Sequence, residues 1–354
     1  MSKVAVLKTD PDTVVPDYGR LMDLADYKEC LPKDKETLLK LNLSWSLYFP
    51  SCSTEPWQLD GVLAKMTSDG YDDLIPIENR TVVTDPWKGA KLNKWLPLIE
   101  KYGLKFTPLT EVEWVRYEPK MEMLAMHDIF PEGFTIPKFF EGRNILHLPT
   151  QKTHGHTMMT GAMKNAFGGL LTTKRHHSHR KIHEVLVDLL AIQKEIHTGL
   201  FAVMDGTVIG DGAGPRAMIP RVGNHILASE DQVAIDAISA KMMGYDPMKI
   251  DFIRIAHDRG LGVGDPDQID IVGDDISKIC YKCETKKSLV VWGDQLFRKG
   301  ALKVFEPILF HTPLFWFCIQ GSAVFHDYVW YPIIGQKRIN EFAKTGWGKL
   351  FEKY

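Results

Sequence analysis

The sequence predicts an α/β fold, in which a mainly parallel sheet is flanked by helices in Rossmann-like layers. The run "TLLKLNLSW" at 37–45 has the length and apolar content of a buried strand. The segment "PWQLDGVLAKMTSDG" at 56–70 has the pattern of a helix that ends at a glycine, and "YDDLIPIEN" at 71–79 that of the next strand. Because such alternation continues along the chain, parallel strands joined by helical crossovers are expected.

Composition limits the classes of function. The chain has 354 residues, of which 44% are hydrophobic, enough for one large or two ordinary domains. Its formal net charge is -2, so no nucleic-acid partner is expected and any anion site must be local. The first residues, "MSKVAVLKTDPDT", lack the apolar core of a secretory signal, and the five cysteines are irregularly spaced. We therefore expect a cytoplasmic protein.

Three regions are predicted. Residues 1–36 are an N-terminal extension, 37–289 an α/β domain with a division into two lobes near 130–143, and 290–354 an aromatic-rich C-terminal appendage. The longest stretch of the appendage without histidine or charge has only 14 residues, too few to span a bilayer. Residues 301–354 are expected to pack on their own domain or on a second copy of the chain. The alternative is peripheral contact with a membrane.

Two prolines bear on the appendage. Pro307 and Pro313 argue against one long amphipathic helix there.

The stretch "LPTQKTHGHTMMTGAMKNAFGGLL" at 148–171 is the first candidate site. It begins where the short strand "NILHLP" ends, and the carboxyl edge of a parallel sheet is where ligands bind. Its glycines allow backbone N–H groups to approach an anion, and Lys152 and Lys164 add positive charge. The alternative is that the glycines only form turns, Lys164 is solvated and Asn165 caps a helix.

His154 and His183, near this stretch, are candidates for proton transfer, and Asp205 or Asp211 would orient them. His154 and His156 alternate, so on an extended backbone only one would face the site. His179 and His183 are four residues apart, which on a helix is a metal-chelating spacing. A third ligand would be needed, for which His154, Asp205 or Asp211 are candidates. Without one, "KRHHSHRKIHE", which also holds His176, is a basic surface turn that leads into a helix.

Two further motifs fall short of cofactor or metal sites. Cys280 and Cys283 form a single C-x-x-C, which lacks the two further ligands of a zinc or iron-sulfur site. The pattern GxGxxG does not occur, and "GLGVGD" at 260–265 lacks the strand-to-helix context of a dinucleotide site. A nicotinamide cofactor is therefore not expected.

Four segments carry a family resemblance. "KTHGHTMMTGAMKNAFGGL", "VMDGTVIGDGAGP", "ILASEDQVAIDAISAKMMGYDP" and "AHDRGLGVGD" occur in the order found in the prokaryotic family called domain of unknown function 362, which the chain resembles from about Leu39 to about Gly273. Some members of that family are iron-sulfur proteins. Their ferredoxin-like cysteine array is missing here, so no cluster is expected within this chain. The cofactor is left unidentified, with a metal ion as one option.

The resemblance and the motifs together give the predicted site. The candidate catalytic residues are Lys152, His154, Lys164, His183, Asp205 and Asp211. The candidate cofactor- or ligand-binding residues are Lys40, Asn42, Gly161, Asn165, Gly168, Gly169, Gly212 and Gly214; Lys40 and Asn42 belong to the lysine-x-asparagine strand that the resemblance implies. The metal candidates are His179, His183, Cys280 and Cys283.

Three functions follow from this site. The first is an oxidoreductase-type enzyme on a small anionic or cofactor-like substrate, a choice that rests on electron-carrying modules fused to relatives. The second is a metal- or cofactor-dependent isomerase, similar in residue types to lactate racemase. The third is a non-catalytic carrier or assembly protein that docks through its appendage.

Overall fold

The computed structural model describes residues 2–81, 83–298, 300, 302–305, 308, 310, 312 and 314–354, and for residues 173, 174, 176 and 289 the backbone alone. Pro307 and Pro313 lie outside these residues, as does the His176 side chain.

The described chain alternates strands and helices as the sequence predicts. The strands are β1 (Ser2–Lys8), β2 (Thr37–Lys40), β3 (Leu74–Glu78), β4 (Thr107–Pro108), β5 (Trp114–Tyr117), β6 (Phe134–Pro137), β7 (Asn144–His147), β8 (Thr150–His154), β9 (Met158–Thr160), β10 (Gly199–Ala213), β11 (Ala217–Ser229) and β12 (Ile269–Gly273). The α-helices are α1 (Val14–Leu24), α2 (Tyr27–Cys30), α3 (Pro56–Ser68), α4 (Pro86–Leu92), α5 (Trp95–Lys101), α6 (Met126–Ile129), α7 (Ala162–Leu170), α8 (Ile182–Ile196), α9 (Gln232–Met243), α10 (Asp251–Asp258), α11 (Leu289–Arg298), α12 (Phe315–Ala323), α13 (Gln336–Phe342) and α14 (Gly346–Lys353).

Ten of the described strands form one sheet. Its order is β12-β1-β11-β10-β7-β2-β3-β4, with β8 on β10 and β9 on β8. The pairs β10–β7, β7–β2, β2–β3 and β3–β4 are parallel, whereas β11 is antiparallel to both β1 and β10. Strands β5 and β6 form a separate antiparallel pair. The predicted α/β class with a mainly parallel sheet is confirmed.

The sheet is buried on both faces. In β1, Val4 and Val6 belong to one apolar cluster, and the alternating residues Ala5 and Leu7 belong to the other. Helices α7 to α10 contribute to the first cluster, and α1, α3 and α5 to the second. Strands covered on both faces read as continuous apolar runs, which is why they are recognisable in the sequence.

Residues 2–8, within the predicted N-terminal extension, form a strand between β11 and β12. The division of the chain into domains stays a prediction.

The appendage packs only in part on the domain. Phe342 and Trp347 enter the second apolar cluster, and the Trp347 Nε1–H donates to Asn224 Oδ1 at 2.7 Å. By contrast, Trp316 and Phe317 of α12 are 57% and 66% exposed. Within the described residues, no helix is both long and apolar enough to cross a bilayer.

Candidate functional site

Three parallel strands bring polar residues to one edge of the sheet. Lys40, the last residue of β2, lies in register with Ile77 of β3 and with His147, the last residue of β7. Glu78 ends β3. The carboxyl ends of adjacent parallel strands share an edge, so Lys40, Glu78 and His147 meet there although up to 107 residues separate them.

The first pair at this edge is a buried ion pair. The Lys40 Nζ–H donates to Glu78 Oε1 at 2.8 Å and to the carbonyl oxygen of Leu41 at 2.6 Å. Burial lowers the pKa of Lys40, and Glu78 opposes that shift. Lys40 therefore already has its counter-ion.

Two amide side chains connect β2, β8 and α7. The Lys152 Nζ donates to Asn42 Oδ1 at 2.7 Å, and the Asn42 Nδ2 donates to Asn165 Oδ1 at 3.3 Å. The Asn165 Nδ2 in turn donates to the Lys40 carbonyl oxygen at 2.9 Å. Asn165 thus bonds across elements rather than capping a helix. Burial lowers the pKa of Lys152 to about 8.

Helix α7 is held at its start by a buried carboxylate. Asp236 accepts hydrogen bonds from the backbone N–H of Ala162 at 2.6 Å and of Met163 at 3.1 Å. A Cβ at Gly161 would lie 2.0 Å from Asp236 Oδ1, so a glycine is required there for close packing. Burial raises the pKa of Asp236 to about 7. Because Asp236 already accepts from these two N–H groups, they are not available to an anion. An anion in this region would have to be bound by side chains instead.

Lys164, in the first turn of α7, lies in the wall of a cavity of about 520 Å³. Its Nζ is 5.2 Å from the centre of the Phe167 ring, and the described residues offer it no hydrogen-bond or ion-pair partner. Burial lowers the pKa of Lys164 to about 7, and the charges of Lys152 and Arg175 lower it further. Of the predicted residues, Lys164 has the geometry most suited to a ligand.

The described cavity wall carries an excess of positive charge. Its cationic side chains are Lys40, Lys164, Arg175, Arg216 and Arg298, and its carboxylates are Glu78 and Asp294. A desolvated wall with this imbalance favours an anionic ligand.

Gly168 leaves room for charged groups to converge. A Cβ there would lie 3.3 Å from Lys40 Nζ and 3.5 Å from both Arg175 Nη1 and Glu78 Oε1. Arg175 donates to the carbonyl oxygens of Phe167 and Arg80, and burial lowers its pKa to about 10. A Cβ at Gly169 would lie 3.3 Å from Cε of the same lysine.

The appendage supplies the apolar side of the cavity. Its apolar lining residues are Val290, Val291, Phe297, Phe310, Phe315, Cys318 and Ile319. Phe315, Cys318 and Ile319 share the inner face of α12, since residues three and four apart on a helix are neighbours. We name Lys40, Lys164, Arg175 and Arg216 the cationic end of the lining and these appendage residues its apolar end, to which Arg298, over the Phe310 ring at 3.9 Å, adds one positive charge.

The expectation that only one of His154 and His156 faces the site is wrong. Residues 155–157 form a turn between β8 and β9, so the backbone is not extended there. Both histidines line the cavity, with their ring centres 5.8 Å apart.

His179 and His183 do not share a helix. Residues Thr173–Lys181 form a 3-10 segment, and α8 begins only at Ile182. His179 lines the cavity and stacks on His156, with ring centres 4.7 Å apart. His183 instead stacks on Phe252 and accepts its backbone N–H at 3.3 Å.

The two predicted aspartates lie outside the described cavity lining. Asp205 is buried and accepts hydrogen bonds from Tyr18 Oη at 2.6 Å and Trp57 Nε1 at 3.0 Å. Burial raises the pKa of Asp205. Asp211 pairs with Arg221 at 2.9 Å. Both carboxylates therefore have structural partners.

The remaining predicted residues are also outside the lining. Gly212 has a φ of +97°, and Gly214 packs on the Thr153 carbonyl. Cys280 is exposed, Cys283 is buried, and burial raises the pKa of Cys283 to about 12. Neither thiol belongs to a group of three metal-binding side chains among the described residues.

Five charged residues of the described cavity wall were not predicted from the sequence: Glu78, Arg175, Arg216, Asp294 and Arg298. Glu78 ends a predicted strand, and Arg175 lies in the basic turn, but neither stands out by its spacing. Asp294 and Arg298 are four apart in the appendage and pair at 2.9 Å. That i, i+4 spacing was the only signal available for them.

Two comparisons with known proteins bear on identity. A family model described as "Domain of unknown function (DUF362)" matches residues 37–241. The "Thylakoid-associated protein sll1697" of Synechocystis sp. is 24% identical over 164 residues, which is 46% of this chain and 48% of that relative. The chain thus spans about half the length of this relative. No solved structure shows significant similarity to the chain.

The family match spans the strands β2, β3, β7 and β8 and the helix α7 that build the cationic end of the cavity, and it covers more than half of the chain. This protein belongs to the domain of unknown function 362 family.

Proposed function

We propose that this protein is an enzyme that binds a small organic anion in the cavity and moves a proton through Lys164. The observation that carries the proposal is the Lys164 side chain, which has no hydrogen-bond or ion-pair partner among the described residues. A lysine without a counter-ion in a wall already rich in cations is costly unless a ligand supplies the negative charge.

The apolar end of the cavity supports an organic anion over an inorganic one. Phe315 and Ile319 of α12 and Val291 of α11 line that end. Phosphate or sulfate alone would leave these side chains uncovered, whereas a ligand with an apolar body would bury them. The substrate class is therefore a carboxylate or phosphate carried on an apolar body.

The lowered pKa of Lys164 favours an enzyme over a carrier. A carrier gains most from a lysine that is fully charged at neutral pH. A general base needs a pKa close to the working pH, because only the neutral amine can accept a proton. With a pKa of about 7, Lys164 is available in both forms.

The reaction we infer is proton transfer. The neutral Lys164 Nζ takes a proton from one carbon of the bound anion and becomes an ammonium, which stabilises the added negative charge and then returns the proton to a different carbon over which that charge is delocalised. An isomerase needs no more than this. Oxidation of the same substrate would also need a hydride acceptor, and the sequence lacks GxGxxG. We therefore favour isomerase-type chemistry, and the oxidoreductase assignment stays the alternative.

Cellular location and assembly stay predictions. The exposed Trp316 and Phe317 side chains support peripheral membrane contact by a cytoplasmic protein, for which flotation with liposomes is the check, and a homo-oligomer is equally untested.

The binding test uses calorimetry with 3-phenylpropionate and its neutral amide on the metal-free protein. We expect the wild type to bind the acid and not the amide. Lys164→Met should weaken binding of the acid at least about tenfold, because it removes a charge-assisted contact worth about 1.5–3 kcal/mol. The melting temperature should stay within a few degrees or rise, since the variant removes a desolvated charge.

Lys249→Met is the matched control, because its side chain is 81% exposed and remote from the cavity lining. Equal binding of acid and amide, or equal affinity in the Lys164→Met and Lys249→Met variants, would refute the proposal.

A further inference from the structure

Three metal-binding side chains converge on one side of the cavity. His156 comes from the turn after β8, His179 from the 3-10 segment before α8, and Asp294 from α11 of the appendage. One ligand atom from each lies within 4.8 Å of the other two. All three residues line the cavity.

The Asp294 carboxylate is already oriented. Its Oδ1 accepts a hydrogen bond from Arg298 Nε at 2.9 Å. Its Oδ2 is buried without a hydrogen-bond partner and lies 3.7 Å from His156 Nε2. A buried carboxylate oxygen without a hydrogen bond lowers the stability of the fold, and coordination to a metal ion would remove that free-energy cost.

We propose that His156, His179 and Asp294 bind a divalent transition-metal ion, with at least one coordination position open to the cavity. Two imidazoles and a carboxylate are a donor set that suits Zn²⁺ or Fe²⁺, whereas Mg²⁺ and Ca²⁺ take mainly oxygen ligands. Bonds of about 2.0–2.1 Å in a tetrahedron place donor atoms about 3.3–3.5 Å apart. The observed spacing therefore needs side-chain shifts of about 1 Å.

The ion would join the appendage to the family domain. Asp294 is the one ligand outside the matched family region, and it stands on the helix that also supplies Val290 and Val291 to the cavity. Binding would fix α11 against the turn after β8 and place a Lewis acid in the cavity that holds Lys164. A role of the ion in catalysis rests on the proposed function and would deepen it. The binding of the ion does not depend on that function.

The test is calorimetric titration of the EDTA-treated full chain with Zn²⁺, without any anion. We expect one ion per chain, and Asp294→Asn and His156→Gln should each weaken binding about 100-fold or more. Asp258→Asn and His127→Gln are matched controls on the surface and should bind as the wild type does. Circular dichroism reports whether each variant folds.

A second measurement keeps the test independent of the variants. Co²⁺ added to the wild-type protein should give the intense visible bands of a four- or five-coordinate ion. No stoichiometric binding, an octahedral Co²⁺ spectrum, or Zn²⁺ affinity unchanged in folded Asp294→Asn would overturn the metal site and leave a plain histidine–carboxylate contact. Because metal is titrated without anion and 3-phenylpropionate on metal-free protein, failure of one proposal is distinguishable from failure of the other.

Discussion

Lys164 combines two properties that a purely structural lysine does not need. It is largely desolvated, and the charges of Lys152 and Arg175 act on it in the same direction as burial, so all three lower its pKa. Lys40 is more deeply buried, at 1% exposed, but Glu78 neutralises it. The two lysines differ in that Lys40 has a counter-ion within the protein. For Lys164 the ligand would supply the negative charge.

This difference makes a prediction about pH. The pKa of about 7 is below the ordinary lysine value of about 10.4, so Lys164 loses its charge as the pH rises through 7. Affinity for 3-phenylpropionate, whose own charge is constant above pH 6, should fall over the same range. Competitive labelling with acetic anhydride, which reacts with neutral amines, should give Lys164 a midpoint near pH 7.

Bound anion should move that midpoint upward by about one unit, because a nearby negative charge favours the ammonium form. A labelling midpoint above about pH 9, or one that 3-phenylpropionate does not shift, would contradict the assigned role of Lys164.

At the scale of elements, α12 is apolar on two faces. Phe315, Cys318 and Ile319 face the cavity, while Trp316 and Phe317 are exposed. A helix that only covered the domain would carry polar residues outside. The proposed ligand would pack its apolar body against the inner face.

The two faces can be separated by substitution. Ile319→Ala removes three side-chain carbons from the cavity wall and should weaken 3-phenylpropionate binding by up to about fiftyfold, at about 0.8 kcal/mol per carbon if all three contact the ligand. It should leave the weaker binding of propionate unchanged. Phe317→Ala, two residues away on the outer face and 66% exposed, is the control and should alter neither affinity, as measured by calorimetry. Equal effects of the two variants would mean that α12 does not touch the ligand.

Element boundaries explain which parts of the site could be predicted. The strands β2 and β3 were recognisable because both their faces are buried. The helical pairing of His179 with His183 was wrong, because polar residues before α8 carry no apolar period to mark where the helix begins. The same absence of a pattern hid the turn at 155–157 that brings both histidines to the cavity.

For the whole molecule, the carboxyl edge of the sheet was predictable and its partners were not. The strand before residue 148 located the edge. Lys164 and Asn165, named from the motif, and Lys40 and Asn42, named from the family resemblance, all line the cavity. Arg175, Asp294 and Arg298 reach the cavity through tertiary packing, which neither the basic turn nor the i, i+4 spacing of Asp294 and Arg298 reveals. Asp205 and Asp211 were predicted as catalytic residues. The Asp205 carboxylate instead accepts a hydrogen bond from Tyr18, and the Asp211 carboxylate pairs with Arg221.

The appendage completes the cavity, so its two ends come from different parts of the chain. The cationic end belongs to the family region, and the apolar end belongs to the described lining residues of the appendage, beside Leu43, Val83, Phe167 and Pro215 of the family region. We infer that the family region supplies the anion-binding chemistry and that the appendage sets which apolar body accompanies the anion.

The most direct test of this account is a crystal structure of the metal-free protein with 3-phenylpropionate. We predict the carboxylate within hydrogen-bond distance of Lys164 Nζ, about 3 Å, and the phenyl ring against Phe315 and Ile319. A carboxylate bound elsewhere, or a ring on the exposed face of α12 with the cavity filled only by solvent, would contradict the account.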